Sequence, residues 1–200
     1  MLKIGVLASG KGTNLQAIID TIVRKEIPAE IGIVLSDNPD AYCLKRAKKV
    51  GIKAVYLPPG RFKTYLEPQV EKNYINALQK EKIELVCLAG FMRVLKKDFL
   101  KAFAGKVINI HPALLPSFPG LESWKQALDY GVKFTGATVH FVEEGIDSGP
   151  IILQAVVPVK EDDTPETLHQ RIQEKEHIIY PLAIKLIVEQ MGSGLNIDKK

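Results

Sequence analysis

Up to Ala89 the chain repeats one pattern, a short apolar run followed by a turn and an amphipathic segment, and that repetition admits few architectures. Lys3–Leu7, Glu30–Leu35, Ala54–Leu57 and Leu85–Ala89 read as strands, with Leu15–Arg24, Ala41–Val50 and about Tyr65–Lys80 as the helices between them. Gly51 stops the second helix, and Pro58-Pro59-Gly60 breaks the chain before the third. Strands joined through helices pair in parallel. The alternation therefore predicts an α/β fold, a Rossmann-like doubly wound and mostly parallel sheet whose ligand crevice lies at the strand C-terminal ends. At 200 residues and 46% hydrophobic content the chain suits one domain, burying roughly 70% of its unfolded surface.

The first strand runs into Ala8-Ser9-Gly10-Lys11-Gly12-Thr13-Asn14 and then a helix. Gly10 and Gly12 permit backbone conformations and close approaches that a Cβ resists, while Thr13 and Asn14 are placed to cap the helix and turn N–H groups outward. A helix start with free donors and a positive dipole end suits a phosphate; the alternative is a glycine turn that merely joins strand to helix. Leu15 stands where a third glycine would complete G-x-G-x-x-G, and the loop is no Walker A motif, so a dinucleotide is disfavoured. The net charge of +4 is spread along the chain, including Lys45–Lys49 and Lys96-Lys97. Without a nucleic-acid motif this reads as solubility and attraction of anionic small molecules. Ser36–Asp40 and Gly90–Leu95 are the next loops at the crevice. Arg93 there is either an anion contact or a strut to a carboxylate, and Phe91, Met92, Val94 and Leu95 are either core or one wall of a flat-ring pocket.

Val107–His111 is a strand whose period of two puts Asn109 and His111 on one face, with Ile108 and Ile110 on the other. Pro112, Pro116 and Pro119 keep the next segment irregular and stiff. An amide that donates to a developing oxyanion, beside an imidazole that carries a proton, suits acyl transfer; the alternative is a buried pair satisfied by backbone. After a short helix at Trp124–Tyr130 come two strands, Thr135–Val142 and Ile151–Val159, too closely linked for a parallel crossover and so antiparallel. Their loop holds Asp147 between Gly145 and Gly149, near enough to the sheet for its carboxylate to reach His111, favour the imidazolium and fix its orientation, unless Asp147 caps its own turn. His140, His169 and His177 show no ligand spacing and read as structural.

The closing helix, Thr164 to about Gln190, has its cap at Thr164 and Pro165 first. Leu168, Ile172, Ile178, Ile179, Leu182 and Leu186 supply an apolar stripe, and Pro181 a kink. Gln173 and Glu176 share a face. The tail Gly192–Lys200 is expected to be mobile. Cys43 and Cys87 form neither metal spacing nor disulfide framework, no apolar run reaches about 18 residues, and the N-terminus becomes a strand without a signal segment. Together these predict a cytoplasmic protein.

Several stretches, in order, resemble the phosphoribosylglycinamide formyltransferase family of folate-dependent formyltransferases. They are Ala8–Ala17, Leu88–Leu95, Asn109–Gly120, Gly145–Gln154 and Glu176–Leu182, the match running over about Lys3–Val188. The resemblance implies transfer of a formyl group from 10-formyltetrahydrofolate, as co-substrate and without a metal, to the amine of glycinamide ribonucleotide in purine biosynthesis. It implies catalytic roles for Asn109, His111 and Asp147. Gly12, Thr13 and Asn14 would hold the phosphate, with Gln173 and Glu176 over the nucleotide. Met92, Arg93, Val94, Leu95, Asn109, Val142 and Asp147 would line the folate pocket. The family often carries a folate-contacting Arg after the third strand; Arg61 and Lys63 are both candidates here, Lys63 standing in the expected set. A nucleotide half (1–105), a catalytic and folate half (106–190) and a tail (191–200) would make one domain, a monomer or weak homodimer with small-molecule partners and no nucleic acid or membrane. Methionyl-tRNA formyltransferase and formyltetrahydrofolate hydrolase share the trio, but usually need an extra domain for which the sequence has no room. A non-catalytic phosphometabolite-binding module would keep the glycine loop but gives no reason for the trio.

Overall fold

The computed structural model describes residues 1–192. Seven strands, β1 (Leu2–Leu7), β2 (Ala29–Ser36), β3 (Ala54–Tyr56), β4 (Leu85–Leu88), β5 (Val107–His111), β6 (Phe134–Phe141) and β7 (Ile151–Pro158), form one sheet in the order β3-β2-β1-β4-β5-β6-β7. Five helices connect β1 to β6 in turn, α1 (Thr13–Val23), α2 (Tyr42–Lys49), α3 (Pro68–Lys80), α4 (Lys97–Ala102) and α5 (Ser123–Tyr130); a loop joins β6 to β7, and α6 (Pro165–Gly192) follows. Strands β1 to β5 are parallel, and the order in which strands are added switches sides between β1 and β4, the point where such a sheet opens a crevice. Both β5–β6 and β6–β7 are antiparallel. The sequence pointed only to the second of these pairs. Helix α5 is eight residues long, about 12 Å, so it leaves the chain at the end of the sheet where β5 finished and β6 must run back.

Period-two burial divides the core between the two faces. Ile4, Val6, Val34, Leu85, Cys87, Ile108 and Ile110 pack with α1, α2 and α6 residues, while Leu7, Ile33, Leu35, Val86, Leu88 and Val107 pack with Leu66, Tyr74, Leu78, Phe99 and Phe103 from the α3–α4 side. Asn109 and His111 share the face of Val107. Cys43 and Cys87 are buried free thiols, and burial pushes both up from the usual thiol range. Among the described residues, no helix is long and apolar enough to cross a membrane.

Three helix readings need correction. Helix α3 starts at Pro68, at its first turn, rather than at Tyr65, because Tyr65 bridges to Val94 in extended form. Helix α1 starts at Thr13; its N-cap is Gly12 at φ 68°, and neither Thr13 nor Asn14 caps it. In α6 the buried stripe is Leu168, Ile172, Ile179, Tyr180, Ala183, Ile184, Ile187 and Val188, whereas Ile178 and Leu182 face solvent. One position of that stripe, between Ile172 and Tyr180 at four-residue spacing, is Glu176, 5% exposed. Thr164 does cap α6, accepting from the Thr167 N–H at 3.3 Å, and Arg171 grips Asp163 just before it at 2.7 and 2.8 Å, holding that carboxyl well below the usual range. Pro181 stands inside an unbroken helix. Beyond Gly192 the expected tail lies outside the described residues.

Tyr180 fastens α6 to the sheet. Fully buried, its hydroxyl donates to Leu88 O at 2.8 Å and sits 3.3 Å from Ile108 O, beside Asn109 in β5. Tyr180→Phe is expected to lower unfolding free energy by about 1–2 kcal/mol, the usual loss for one buried hydrogen bond. Urea unfolding should show a lower midpoint with an unchanged slope.

Candidate active site

The loop after β1 is held from three sides. Ser9 N donates to Gly90 O at 3.0 Å and Ser9 Oγ accepts from Met92 N at 2.9 Å, tying it to the β4 loop. Arg46 Nε donates to Lys11 O at 2.9 Å, and Cys43 N to Gly10 O at 3.1 Å. At Gly12 the φ of 68° is compounded by packing, since a Cβ there would lie 2.6 Å from Cys43 Cβ. Gly10 has open space around it, so the expected close approach belongs to Gly12 alone. The first-turn N–H groups of Thr13, Asn14 and Leu15 have no carbonyl one turn back and point out of the helix start.

The Asn14 side chain turns the other way. Its Nδ2 donates to Glu176 Oε2 at 2.9 Å, and its Oδ1 is buried without a partner. Burial raises the Glu176 carboxyl above its ordinary range, partly opposed by that bond. Gln173, one turn earlier, places Nε2 at 3.2 Å from His169 Nε2. The start of α1 and the last helix, 162 residues apart in sequence, are thus tied by one buried hydrogen bond.

The strand face of β5 carries the second cluster. Asp147 Oδ2 accepts from Gly120 N at 2.7 Å and lies 3.3 Å from His111 Nδ1, while Oδ1 is 3.5 Å from Asn109 Nδ2. Asp147 therefore joins the other two and does not cap its own turn. His111 Nε2 is 2.9 Å from Phe118 O. Both ring nitrogens of His111 thus face acceptors, a carboxylate and a carbonyl, and only an imidazolium donates to both. Asn109 can face a carboxylate only with its NH2 group, which fixes the amide. The same nitrogen reaches His140 Nε2 at 3.3 Å, while His140 Nδ1 donates to Phe141 O at 2.8 Å. His140 is therefore a neutral acceptor, and burial lowers its pKa from the ordinary 6.5.

The sequence missed His140 as a supporter of Asn109. The two are register partners across β5 and β6, a signal that exists only once those strands are known to be antiparallel. The Phe118 carbonyl and the Gly120 N–H have no side-chain signal at all. The loop that carries Asp147 is shaped by Gly149 at φ 116°, where a Cβ would collide with Phe141 O.

Arg93 proves to be the strut. Its Nε is 2.6 Å from buried Asp37 Oδ2 and its Nη1 donates to Phe62 O at 2.6 Å, so the guanidinium braces the β2 and β3 loops. Met92 and Val94 are 56% and 45% exposed, whereas Phe91 and Leu95 turn into the α3–α4 core; Val142 is half-buried. Arg61 is bound to Glu67 through its backbone N–H at 3.0 Å and its Nε at 3.4 Å. Lys63 is exposed and, among the described residues, has no side-chain partner.

The formyl transferase family profile matches residues 2–184. The chain is 44% identical over 189 residues to a phosphoribosylglycinamide formyltransferase of Haemophilus influenzae, covering 94% of this chain and 88% of that one. It is 43% identical over 195 residues to the human trifunctional purine biosynthetic protein adenosine-3, covering 96% of this chain but 19% of that protein. In structure it is similar to glycinamide ribonucleotide transformylase 1 of Symbiobacterium toebii, with a TM-score of 0.90 and 50% identity over 94% of this chain and 88% of that one. With a profile match over almost its whole length and relatives well above 30% identity across it, the chain belongs to the formyl transferase family.

Proposed function

We infer that this chain transfers the formyl group of 10-formyltetrahydrofolate to the amine of N1-(5-phospho-D-ribosyl)glycinamide in purine biosynthesis. The observation that carries this reading is His111 held between two acceptors with Asn109 and Asp147 in contact, at the edge of a crevice whose other wall is a helix start. The names of the relatives support the choice of substrate. The phosphate is held by the N–H groups at Gly12, Thr13 and Asn14, and Gln173 and Glu176 face the nucleotide, so the nucleotide half (1–105) is completed by a helix of the catalytic half (106–190). Met92, Val94 and Val142 offer apolar walls for a flat ring, with Asn109 and Asp147 at its reactive end. Arg93 contributes backbone there, its side chain being committed to Asp37, and unpaired Lys63 suits the acidic tail of the folate.

In this mechanism the substrate amine attacks the formyl carbon, and the carbonyl electron pair moves onto oxygen. Asn109 Nδ2 and the His111 imidazolium donate to that oxyanion, the substrate replacing Phe118 O at Nε2. As the carbon–nitrogen bond to folate breaks, His111 gives its proton to the departing nitrogen and receives the one lost by the amine. Asp147 holds the ring in place throughout, and His140 holds Asn109.

Purified protein given a 10-formyl folate should deformylate it only when the ribonucleotide is present, with formylated ribonucleotide as product. Deformylation at the same rate without ribonucleotide would make it a hydrolase and overturn the reading. His111→Ala should lower kcat by about 10²–10⁴-fold, the usual worth of a general acid–base, while calorimetry still detects ribonucleotide binding.

His140 also predicts a pH effect on stability. Its folded pKa lies below the ordinary 6.5, so it contributes stability that is present above that pH and lost as pH falls towards the folded value. Urea midpoints measured between pH 7 and about pH 5 should fall less steeply in His140→Gln than in the wild type.

A further inference from the structure

His169 takes no part in the proposed chemistry, yet its ring is tightly constrained. Trp124, the second residue of α5, lies parallel to it with ring centroids 3.7 Å apart and planes inclined by 2°. At the ring edge Nε2 stands 3.2 Å from Gln173 Nε2, one turn further along α6. Two nitrogens at that distance need one hydrogen between them. With the amide turned as it is, its NH2 donates, and the imidazole nitrogen matches it as an acceptor when the ring hydrogen sits on Nδ1. Burial, and then the positive charge of Lys11, lower the His169 pKa, which favours that neutral ring.

A bare Nε2 accepts and cannot donate, so it selects one end of the Gln173 amide. The two ends are nearly the same shape and opposite in polarity, and nothing else in the side chain distinguishes them. With Nε2 taken by His169, the carbonyl oxygen is left for a ligand. One turn along α6, Glu176 also acts as an acceptor, since Asn14 donates to it. This stretch of helix then offers two acceptors, which suits the adjacent hydroxyl donors of a ribose and not a phosphate or carbonyl.

We propose that His169, held flat by Trp124, keeps its hydrogen on Nδ1 and is thereby a positioning residue that fixes the polarity of Gln173, so that the nucleotide site presents a carbonyl oxygen to a ribose hydroxyl. The inference rests on the reading of Gln173 and Glu176 as nucleotide contacts.

The test is a double-mutant cycle on KM for the ribonucleotide, with kcat followed alongside. His169→Phe keeps a flat ring against Trp124 and removes the acceptor. It should raise KM about fivefold, the worth of one ordinary hydrogen bond, with kcat unchanged. Added to Gln173→Ala it should change KM no further, because no amide remains to orient. In a Gln173→Glu background, where both ends are oxygen, it should again have no effect. A KM unmoved by His169→Phe but raised by Gln173→Ala overturns the inference and leaves the nucleotide reading standing. A KM unmoved by Gln173→Ala overturns the nucleotide reading at that residue. Additive effects would show that His169 acts through packing and also overturn the inference. Nitrogen NMR of the labelled imidazole in the wild-type protein gives an arm without any variant: a His169 hydrogen on Nδ1 supports the inference, and one on Nε2 overturns it.

Discussion

The carboxylate of Asp147 gathers three segments at one point, the polar face of β5, the loop after β6 and the proline loop. The chain leaves β6 at Phe141, which is paired with Ile108 near the start of β5, and returns over the polar face of that strand to set Asp147 on Asn109 and His111. There it also accepts the Gly120 N–H of the proline loop. Asp147 is itself in the left-handed region at φ 47°, a conformation that costs a non-glycine residue about 1 kcal/mol or more and persists where its surroundings over-determine it. Three contacts on one carboxylate supply that over-determination. Replacing the side chain by one that cannot accept would leave the Gly120 N–H, the His111 ring and the Asn109 amide without their common partner.

On the opposite face, α6 does for the Asn14–Glu176 contact what Asp147 does for the trio. Its apolar stripe locks it against the sheet, and Tyr180 ties that stripe to the carbonyls of β4 and β5. Glu176 occupies a position of the same stripe, so a carboxyl is carried into the interior by the packing of its neighbours. Its one side-chain donor, Asn14, comes from the first loop. A helix packed this firmly can hold an otherwise costly polar group against a loop far away in sequence, because the apolar contacts on either side of Glu176 offset the desolvation.

How much the residues disclose on their own depends on how local each cause is. The strand ends fall within a residue or two of expectation, since each apolar run is bounded by its own turn. Asn109 and His111 were legible as neighbours on one strand face, and Asp147 as a carboxylate in a glycine-bounded loop within reach of them, with its capping of its own turn left as the alternative. His140 was not, since its role depends on a strand pairing that the short α5 decides. Arg93 was left between two readings, and only the position of Asp37 at the end of β2 resolves them. In α6 the sequence suggested Ile178 and Leu182 by hydrophobicity alone. Following the spacing from Leu168 through Ile172 leads to Glu176, then Tyr180 and Ala183. A charged residue in phase with an apolar stripe was the more informative signal, because it marks both the buried face and a side chain retained there against its own hydration.

The same principle accounts for where the site lies in the sheet. Strand β5 has a parallel neighbour on one side and an antiparallel neighbour on the other. The parallel neighbour β4 ends beside Asn109, its last register partner there being Leu88, so it offers that end an apolar side chain and then loop. The antiparallel β6 lays a full side-chain ladder beside β5, so that His140 meets Asn109 and Thr138 meets His111 in register. Thr138 in turn accepts from Leu115 N at 3.0 Å and donates to Ala113 O at 2.7 Å, fixing the start of the proline loop that presents Phe118 O to His111. The change of strand direction thus turns one polar strand face into a cluster whose members are oriented from the side, from below and through the loop, before any substrate arrives.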